Sequence, residues 1–414
     1  MTTYRTPLAS RTDARQLLNK VPEITIWFWI IKILCTTVGE SFADWINMTL
    51  GVGLTNTALM FTVVLAVILA VQLRLSRYVP AVYWLTVVVV SITGTLYTDI
   101  LTDSSGVPLK VSTSIFAAVL AVVFGIWYAR ERTLSIHTIV TLPREAFYWL
   151  AVLVTFALGT AAGDWTLELT GWGPGKSVLL PAGLIAIVAV CWRAGAQPVL
   201  AFWLAYILTR PLGANIGDFL ALPKAEQGLG LGTALTSVLF LAAIAATVIY
   251  LTRTRADIIT HEAPPRPANP RGERMALGVY VIAAVSTAVL LHHTSGLPHT
   301  SPLAEGEGPA VSTVQLTPAQ ATAKFPSADI ATLKSIGQDL QAKVAASDQA
   351  GALTRAKDLE TTWDQYQPQL QPLDGTAWTF IDVEIDHVLT AVRSPNPDPK
   401  AETAALSALV TTLS

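Results

Sequence analysis

Residues 28–44 read FWIIKILCTTVGESFAD, an apolar stretch that begins with an aromatic pair and ends with an aspartate. The same signature recurs at 83–99, 148–164 and 202–218: an aromatic residue, Trp, nine residues, Gly, four residues and Asp. An aspartate at the centre of a membrane helix costs roughly 3 kcal/mol or more, so it is rarely kept without a use. Four copies in register, about 55 to 65 residues apart, indicate a repeat architecture.

The composition is that of a polytopic helical membrane protein. Of 414 residues, 52% are hydrophobic and 14% are charged, against about 25% charged in a soluble domain. Successive apolar stretches are long enough to cross a hydrocarbon core of about 30 Å as helices. The predicted spans are 24–46, 54–73, 80–101, 111–129, 146–167, 177–192, 199–220, 231–252 and 275–292.

The basic residues of the short loops predict the orientation. Alternate loops carry fifteen Lys and Arg residues, and the loops between them carry only Lys110, Lys176 and Lys224. Because cytoplasmic loops are enriched in Lys and Arg, we expect the N-terminus in the cytoplasm and, after nine spans, the C-terminus outside it.

The chain divides into a membrane core and an acidic tail. Residues 1–299 have a net charge of +5 and residues 300–414 a net charge of −7, which argues against nucleic acid as a partner. The predicted fold is an all-α integral membrane protein with four parallel two-helix repeats (eight spans), a ninth span and a small extracytoplasmic helical bundle. The predicted segments are a cytoplasmic N-terminal segment 1–22, a four-repeat core 23–253, a cytoplasmic linker 254–274, the ninth span 275–293, an extracytoplasmic linker 294–325 and the helical bundle 326–414.

Each signature helix carries one polar stripe. At 100° per residue, the Asp lies about 60° from the Trp, the residue at Trp+11 at about 20°, and the residue at Trp+7 at about −20°. The signature Gly lies beside the stripe, where the missing side chain lets a neighbouring helix approach. Lys32 borders the stripe, which contains Thr36, Ser91, Phe156 and Arg210 at Trp+7 and Glu40, Thr95, Thr160 and Ala214 at Trp+11.

The charges on these stripes predict an ion or substrate pathway. Its residues are the acids Glu40, Asp44, Asp99, Asp164 and Asp218 and the bases Lys32 and Arg210. The excess of negative charge suits a cation or a proton carried by a carboxyl group. The leading hypothesis is therefore transport of a divalent metal or a proton-coupled solute. Alternatively, the aspartates only cap helix ends, although an acid at a helix C-terminus opposes the macrodipole.

Other function classes have less support in the sequence. The eight core spans contain no histidine, which argues against a haem-binding bundle. No nucleophile and base stand out, so we predict neither an enzyme nor a cofactor. Weak candidates for metal binding are His292 and His293 at the outer end of the ninth span and Asp382, Asp386 and His387 in the tail.

A different class of function also fits the organisation of the chain. In this second hypothesis the protein is a non-transporting membrane sensor or scaffold, and its bundle binds an envelope protein partner. The lipid bilayer is the expected partner of the core under both hypotheses, with a metal cation or a proton as the transported species under the first.

Residues 20–252 resemble a family of uncharacterised bacterial membrane-anchored proteins built from a repeat, domain of unknown function 347. The resemblance implies the repeat topology and a bacterial inner (cytoplasmic) membrane, and it implies no particular activity. It rests on KVPEITIWFWIIKIL (20–34), ERTLSIHTIVTLPREAFYWL (131–150), TFALGTAAGD (155–164) and FWLAYILTRPLGANIGDFL (202–220).

Overall fold

The computed structural model describes most of the chain as helix, and its described residues contain no strand. Most of the predicted N-terminal segment, and the centres of the predicted linkers near residues 260 and 305, lie outside the described residues. The described ranges are 19–50, 52–105, 107–222, 224, 227–257, 270–296, 316–393 and 397–414.

Within these ranges, nine helices are long and apolar enough to cross a membrane. The prediction of an all-helical protein with nine membrane-length helices is confirmed. The sixth helix is long enough to cross a membrane only together with the short helical turn Pro174–Ser177 that precedes it. The helices are α1 Ile26–Asp44, α2 Leu54–Arg74, α3 Pro80–Asp99, α4 Leu109–Glu131, α5 Leu142–Thr170, α6 Leu179–Arg193, α7 Pro198–Ala221, α8 Thr233–Thr254 and α9 Pro270–Ser295.

Local sequence explains several helix ends. Pro80 and Pro198 occupy the first positions of α3 and α7, where the missing N–H has no intrahelical acceptor. Gly171 ends α5 in the left-handed conformation. After α1 and α3 the chain continues directly as one π-helical turn. The signature aspartates of repeats 1 and 2 therefore stand at the junction between an α-helix and a π-turn, a feature frequent at functional sites.

The four signature helices form the centre of the membrane core. Over the most apolar part of α1, α3, α5 and α7, between 56% and 67% of residues are buried, against 17% to 22% for α2, α4, α6 and α8 and 6% for α9. Helices α1, α3, α5 and α7 are therefore the inner helices, and the second helix of each repeat lies outside them.

Each outer helix packs mainly against the first helix of the following repeat. Thr62 of α2 shares a hydrogen bond of 2.8 Å with Tyr97 of α3. Ser237 of α8 donates one of 2.9 Å to Ser41 of α1, which closes the circle. The sequence does not give this pairing, because helix periodicity identifies a buried face but not the neighbour that covers it.

Aromatic contacts join the inner helices into a ring. The first aromatic residue of each signature contacts the Trp of the next inner helix, and the fourth helix contacts the first. The ring centroids are separated by 5.6 Å for Phe28–Trp84, 5.4 Å for Tyr83–Trp149, 6.3 Å for Tyr148–Trp203 and 5.8 Å for Phe202–Trp29. We call these eight side chains the aromatic layer.

The signature glycines sit at the same four interfaces. A methyl group at any of them would come within 2.8 Å of a side-chain carbon at Trp+7 of the next inner helix. Glycine therefore sets the close spacing of the ring, as small residues do between membrane helices. The pairs are Gly39–Ser91, Gly94–Phe156, Gly159–Arg210 and Gly213–Thr36.

The C-terminal region has a hydrophobic core of its own. Within it Trp363 and Trp378 stack with ring centroids 3.6 Å apart. The first helix, α10, lies in the segment predicted as a linker, and its Ala321 is fully buried in this core. The described helices are α10 Pro318–Thr322, α11 Ser327–Ala345, α12 Gln349–Leu370, α13 Gly375–Arg393 and α14 Pro399–Thr412.

Replacing Gly94 by Ala should destabilise the protein, because the new methyl would press on Phe156 Cβ and the Ala157 backbone. Overpacking of this kind costs about 1–3 kcal/mol. Gly125 of the outer helix α4 meets nothing within 4 Å, so G125A should be neutral or stabilising through helix propensity. Thermal unfolding in detergent measures both, and equal midpoints for the two variants would contradict the close packing at Gly94.

Candidate functional site

The ring stacks equivalent signature positions into layers along its axis. Beyond the aromatic layer come the residues at Trp+3, then at Trp+7, and every side chain of these two layers is almost fully buried. The Trp+11 layer and the four aspartates follow. The Trp+3 layer contains Lys32, Val87, Val152 and Tyr206, and the Trp+7 layer contains Thr36, Ser91, Phe156 and Arg210.

Arg210 links all four inner helices. From α7 its Nε donates to Thr160 Oγ1 of α5 at 3.0 Å, and its Nη2 donates to Thr95 Oγ1 of α3 at 2.5 Å. Two groups of α1 complete the set: Thr36 O accepts from Nη1 at 3.2 Å, and the Glu40 carboxylate forms an ion pair with Nη2. The guanidinium is completely buried, so its charge is compensated by protein groups and not by solvent.

The acidic residues gather beyond Arg210. One carboxylate oxygen each from Glu40, Asp44 and Asp218 lies within 4.8 Å of the others, and all three residues are half-buried. Asp99 and Asp164 interact electrostatically with Arg210 and are also half-buried. The structure thus brings the acids of the predicted pathway to one end of the ring, which we call the aspartate end.

Lys32 lies apart from these acids. Its Nζ is 3.8 Å from the centroid of the Phe156 ring and 4.2 Å from that of Tyr206. Among the described residues it forms no ion pair with a carboxylate. Its partners are therefore aromatic faces, which attract a cation through the ring quadrupole.

The opposite end of the ring is closed by residues that the sequence did not single out. Val21 packs in the hydrophobic core that contains the aromatic layer. The buried Lys20 Nζ donates to Glu145 Oε2 at 2.7 Å, and Gln72 Nε2 donates to Glu145 Oε1 at 2.9 Å. The sequence signal that could have identified this contact is Glu145, a carboxylate in the first turn of the apolar helix α5. The end of the ring that carries the aromatic layer, which we call the aromatic end, is thus sealed. The acids at the aspartate end are partly accessible.

The weak metal candidates are not brought together. In the described part of the chain, Glu40, Asp44 and Asp218 are the group of three potential ligand residues that lies close enough to hold an ion. His292 and His293 are exposed in the last turn of α9, and His387 is exposed on α13. Asp382 and Asp386 are half-buried on α13.

Asp382 has a structural role in the bundle. Its Oδ1 accepts a hydrogen bond of 2.5 Å from Trp363 Nε1. Burial raises the pKa of Asp382 to about 6, although this hydrogen bond acts in the opposite direction.

The fold and the site define a multi-pass helical membrane protein built from four repeats around a polar axis. The chain belongs to the family described as Repeat of Unknown Function (DUF347), which matches residues 27–78, 82–133, 147–195 and 201–257. Each of the four matched segments contains one of the four signatures. No match to a curated protein or to a solved structure was found.

Replacing Arg210 by Met should cost about 3–5 kcal/mol, because the half-buried Glu40 carboxylate is left as an uncompensated charge. The double variant R210M/E40Q should recover part of that loss. Arg144 and Glu131 form a more exposed pair at 2.5 Å, and R144M should cost about 1 kcal/mol or less. Denaturant unfolding in micelles compares the variants. Equal stability of R210M and R144M would show that Arg210 does not hold the ring together.

The bundle should lose stability as the pH rises from about 4 to about 6. The pKa of Asp382 is about 6 when folded and about 3.9 when unfolded, so the folded state binds more protons in this window. The loss amounts to at most about 3 kcal/mol. D382N should remove the contribution of Asp382 to this pH dependence and be more stable than wild type at pH 7.

Chemical unfolding of a fragment spanning residues 316–414, which has its own core, measures this dependence. The exposed Asp339, 2.9 Å from Arg355, gives the control variant D339N. An unchanged pH profile in D382N would contradict the assignment to Asp382.

Proposed function

We propose that this protein transports a divalent cation across the bacterial cytoplasmic membrane through the ring of inner helices. The observation that carries the proposal is the approach of Glu40, Asp44 and Asp218 within 4.8 Å at the aspartate end. Two of these acids come from the first repeat and one from the fourth. They form one site only because the ring closes.

The chemistry of the site suits a hard divalent ion. Mg²⁺, Ca²⁺ and Mn²⁺ prefer carboxylate oxygens, and a bound cation would relieve repulsion among acids that lie partly out of water. Asp218 interacts electrostatically with both Glu40 and Asp44. The half-buried position leaves the acids accessible from one side, as a binding site for a transported ion requires.

Arg210 gives this site a link to the rest of the ring. A cation held by Glu40 competes with Arg210 for the same carboxylate. Because Arg210 also bonds Thr95 and Thr160, its release would loosen the contacts among the inner helices. Binding at the aspartate end would thereby be coupled to opening of the sealed aromatic end.

The orientation is also part of the proposal. Alternate loops carry fifteen Lys and Arg residues and the loops between them carry three, which supports an aromatic end in the cytoplasm and an aspartate end outside it. The bundle would then be extracytoplasmic, and Lys357 of α12 donates to Ser105 O near the aspartate end at 2.7 Å. We propose that the bundle lies at the outer mouth of the pathway.

Mn²⁺ uptake into proteoliposomes tests the proposal, with calcein quenching as the readout. D218N and E40Q should each bind Mn²⁺ at least about tenfold more weakly, which corresponds to about 1.4 kcal/mol, and should lose uptake. E131Q, near the aromatic end, is the matched control and should retain both. Absence of Mn²⁺, Ca²⁺ and Mg²⁺ binding to the wild type would overturn the proposal.

The scaffold interpretation makes the opposite prediction for the same variants. If the bundle only binds an envelope protein, a cell that carries the protein without residues 316–414 should behave like a cell that lacks the whole protein. A cell that carries D218N should behave like the wild type. Uptake that persists without the bundle but not in D218N would favour transport.

A further inference from the structure

Buried hydroxyl groups line the sealed half of the ring. Tyr83 and Tyr148, the first aromatic residues of the second and third signatures, are fully buried, and their hydroxyl oxygens are 2.5 Å apart. Phe28 and Phe202 hold the equivalent positions in the other repeats and close the ring equally well. Since a buried hydroxyl needs a hydrogen bond to offset its desolvation, aromatic packing alone does not account for the tyrosine pair.

The chain of polar groups extends from this pair toward Arg210. Tyr206 is almost fully buried and interacts electrostatically with Tyr148. A side-chain hydrogen bond also connects the hydroxyl groups of Tyr206 and Tyr148. The Lys32 ammonium lies 4.2 Å from the centroid of the Tyr206 ring and interacts electrostatically with Cys35 and Arg210. A buried ammonium can lose its proton, whereas a guanidinium does not.

The chain also extends toward the predicted cytoplasmic side. Tyr78, whose ring lies 5.6 Å from that of Tyr83, accepts a hydrogen bond of 3.2 Å from Trp84 Nε1. It donates one of 2.7 Å to Asp257 Oδ2. Asp257 is buried, and its Oδ1 has no partner among the described residues. Burial and the Asp257 carboxylate raise the pKa of Tyr78, so its hydroxyl keeps a proton to donate.

We propose that these groups form a proton path through the sealed half of the ring. The proposal rests on the proposed transport function and names the proton as its coupling ion. The path consists of Lys32, Tyr206, Tyr148, Tyr83, Tyr78 and Asp257.

Each transfer in the path conserves protons. The Lys32 ammonium gives one proton to the Tyr206 oxygen as Tyr206 passes its own hydroxyl proton to Tyr148. The same exchange proceeds along the tyrosines until Tyr78 protonates the Asp257 carboxylate. The result is a neutral amine at Lys32, a neutral acid at Asp257 and unchanged tyrosines, whose hydroxyls then rotate back.

Arg210 separates this path from the outer acids. Its guanidinium does not release a proton, so it blocks direct transfer from Glu40 to Lys32. Reprotonation of Lys32 from the aspartate end therefore requires the Arg210–Glu40 pair to separate. Either a cation or a proton bound at the Glu40 carboxylate would separate this pair, and this shared requirement couples the two fluxes.

Proton flux into pyranine-loaded proteoliposomes of phosphatidylethanolamine and phosphatidylglycerol tests the path. The wild type should show flux under an imposed pH gradient, with valinomycin and K⁺ to dissipate charge. Y148F keeps the ring but removes a central hydroxyl, so it should lower flux at least tenfold while Mn²⁺ binding in detergent stays within twofold of wild type. K32Q, at the outer end of the path, should show the same loss.

The matched control is Y97F. The Tyr97 hydroxyl bonds Thr62 between α2 and α3 and lies outside the path, so this variant should conduct like the wild type. Flux in Y148F equal to that in Y97F, with both variants folded by thermal unfolding, would overturn the path. Loss of proton flux in Y148F and K32Q, but not in Y97F, supports the proton path even if the wild type binds no Mn²⁺. Absence of Mn²⁺ binding would instead remove the divalent cation from the proposed function.

Discussion

The buried guanidinium of Arg210 is the interaction on which the membrane core depends. A charge removed from water costs several kcal/mol unless its hydrogen bonds are made inside the protein. The partners of Arg210 come from α1, α3 and α5, while Arg210 itself belongs to α7. Satisfying this one charge therefore requires the four inner helices to meet at one level.

The repeated signature supplies the framework around that charge. The aromatic pairs close one end of the ring, and the glycines allow each inner helix to approach the next. The aspartates stand at the opposite end. A single repeated sequence thus produces an axis that is aromatic and sealed at one end and acidic and accessible at the other, an asymmetry on which the proposed transport depends.

The groups that carry the proposed chemistry break this fourfold regularity. Lys32, Glu40 and Arg210 each occur in one repeat, and tyrosine replaces phenylalanine in the aromatic layer of two repeats. Such substitutions place different groups at the same level of a regular scaffold. In the proposed mechanism, the acids at the aspartate end and the buried hydroxyls are two polar regions that communicate through the Arg210–Glu40 pair, so that a cation at one end would influence a proton at the other.

The sequence by itself determined the nine apolar helices, the repeat and the grouping of Glu40, Arg210 and the aspartates on equivalent helix faces. These features follow from helix periodicity and from the requirements of a hydrocarbon environment, which act within one segment of chain. Only the tertiary structure decided which helices and side chains contact one another. It placed α8 on α1, paired Arg210 with Glu40, set Lys32 on aromatic rings and joined Lys20 to Glu145. Helix geometry fixes the face a residue occupies, but its partner comes from another helix, and for the ion pairs that partner is 125 to 170 residues away.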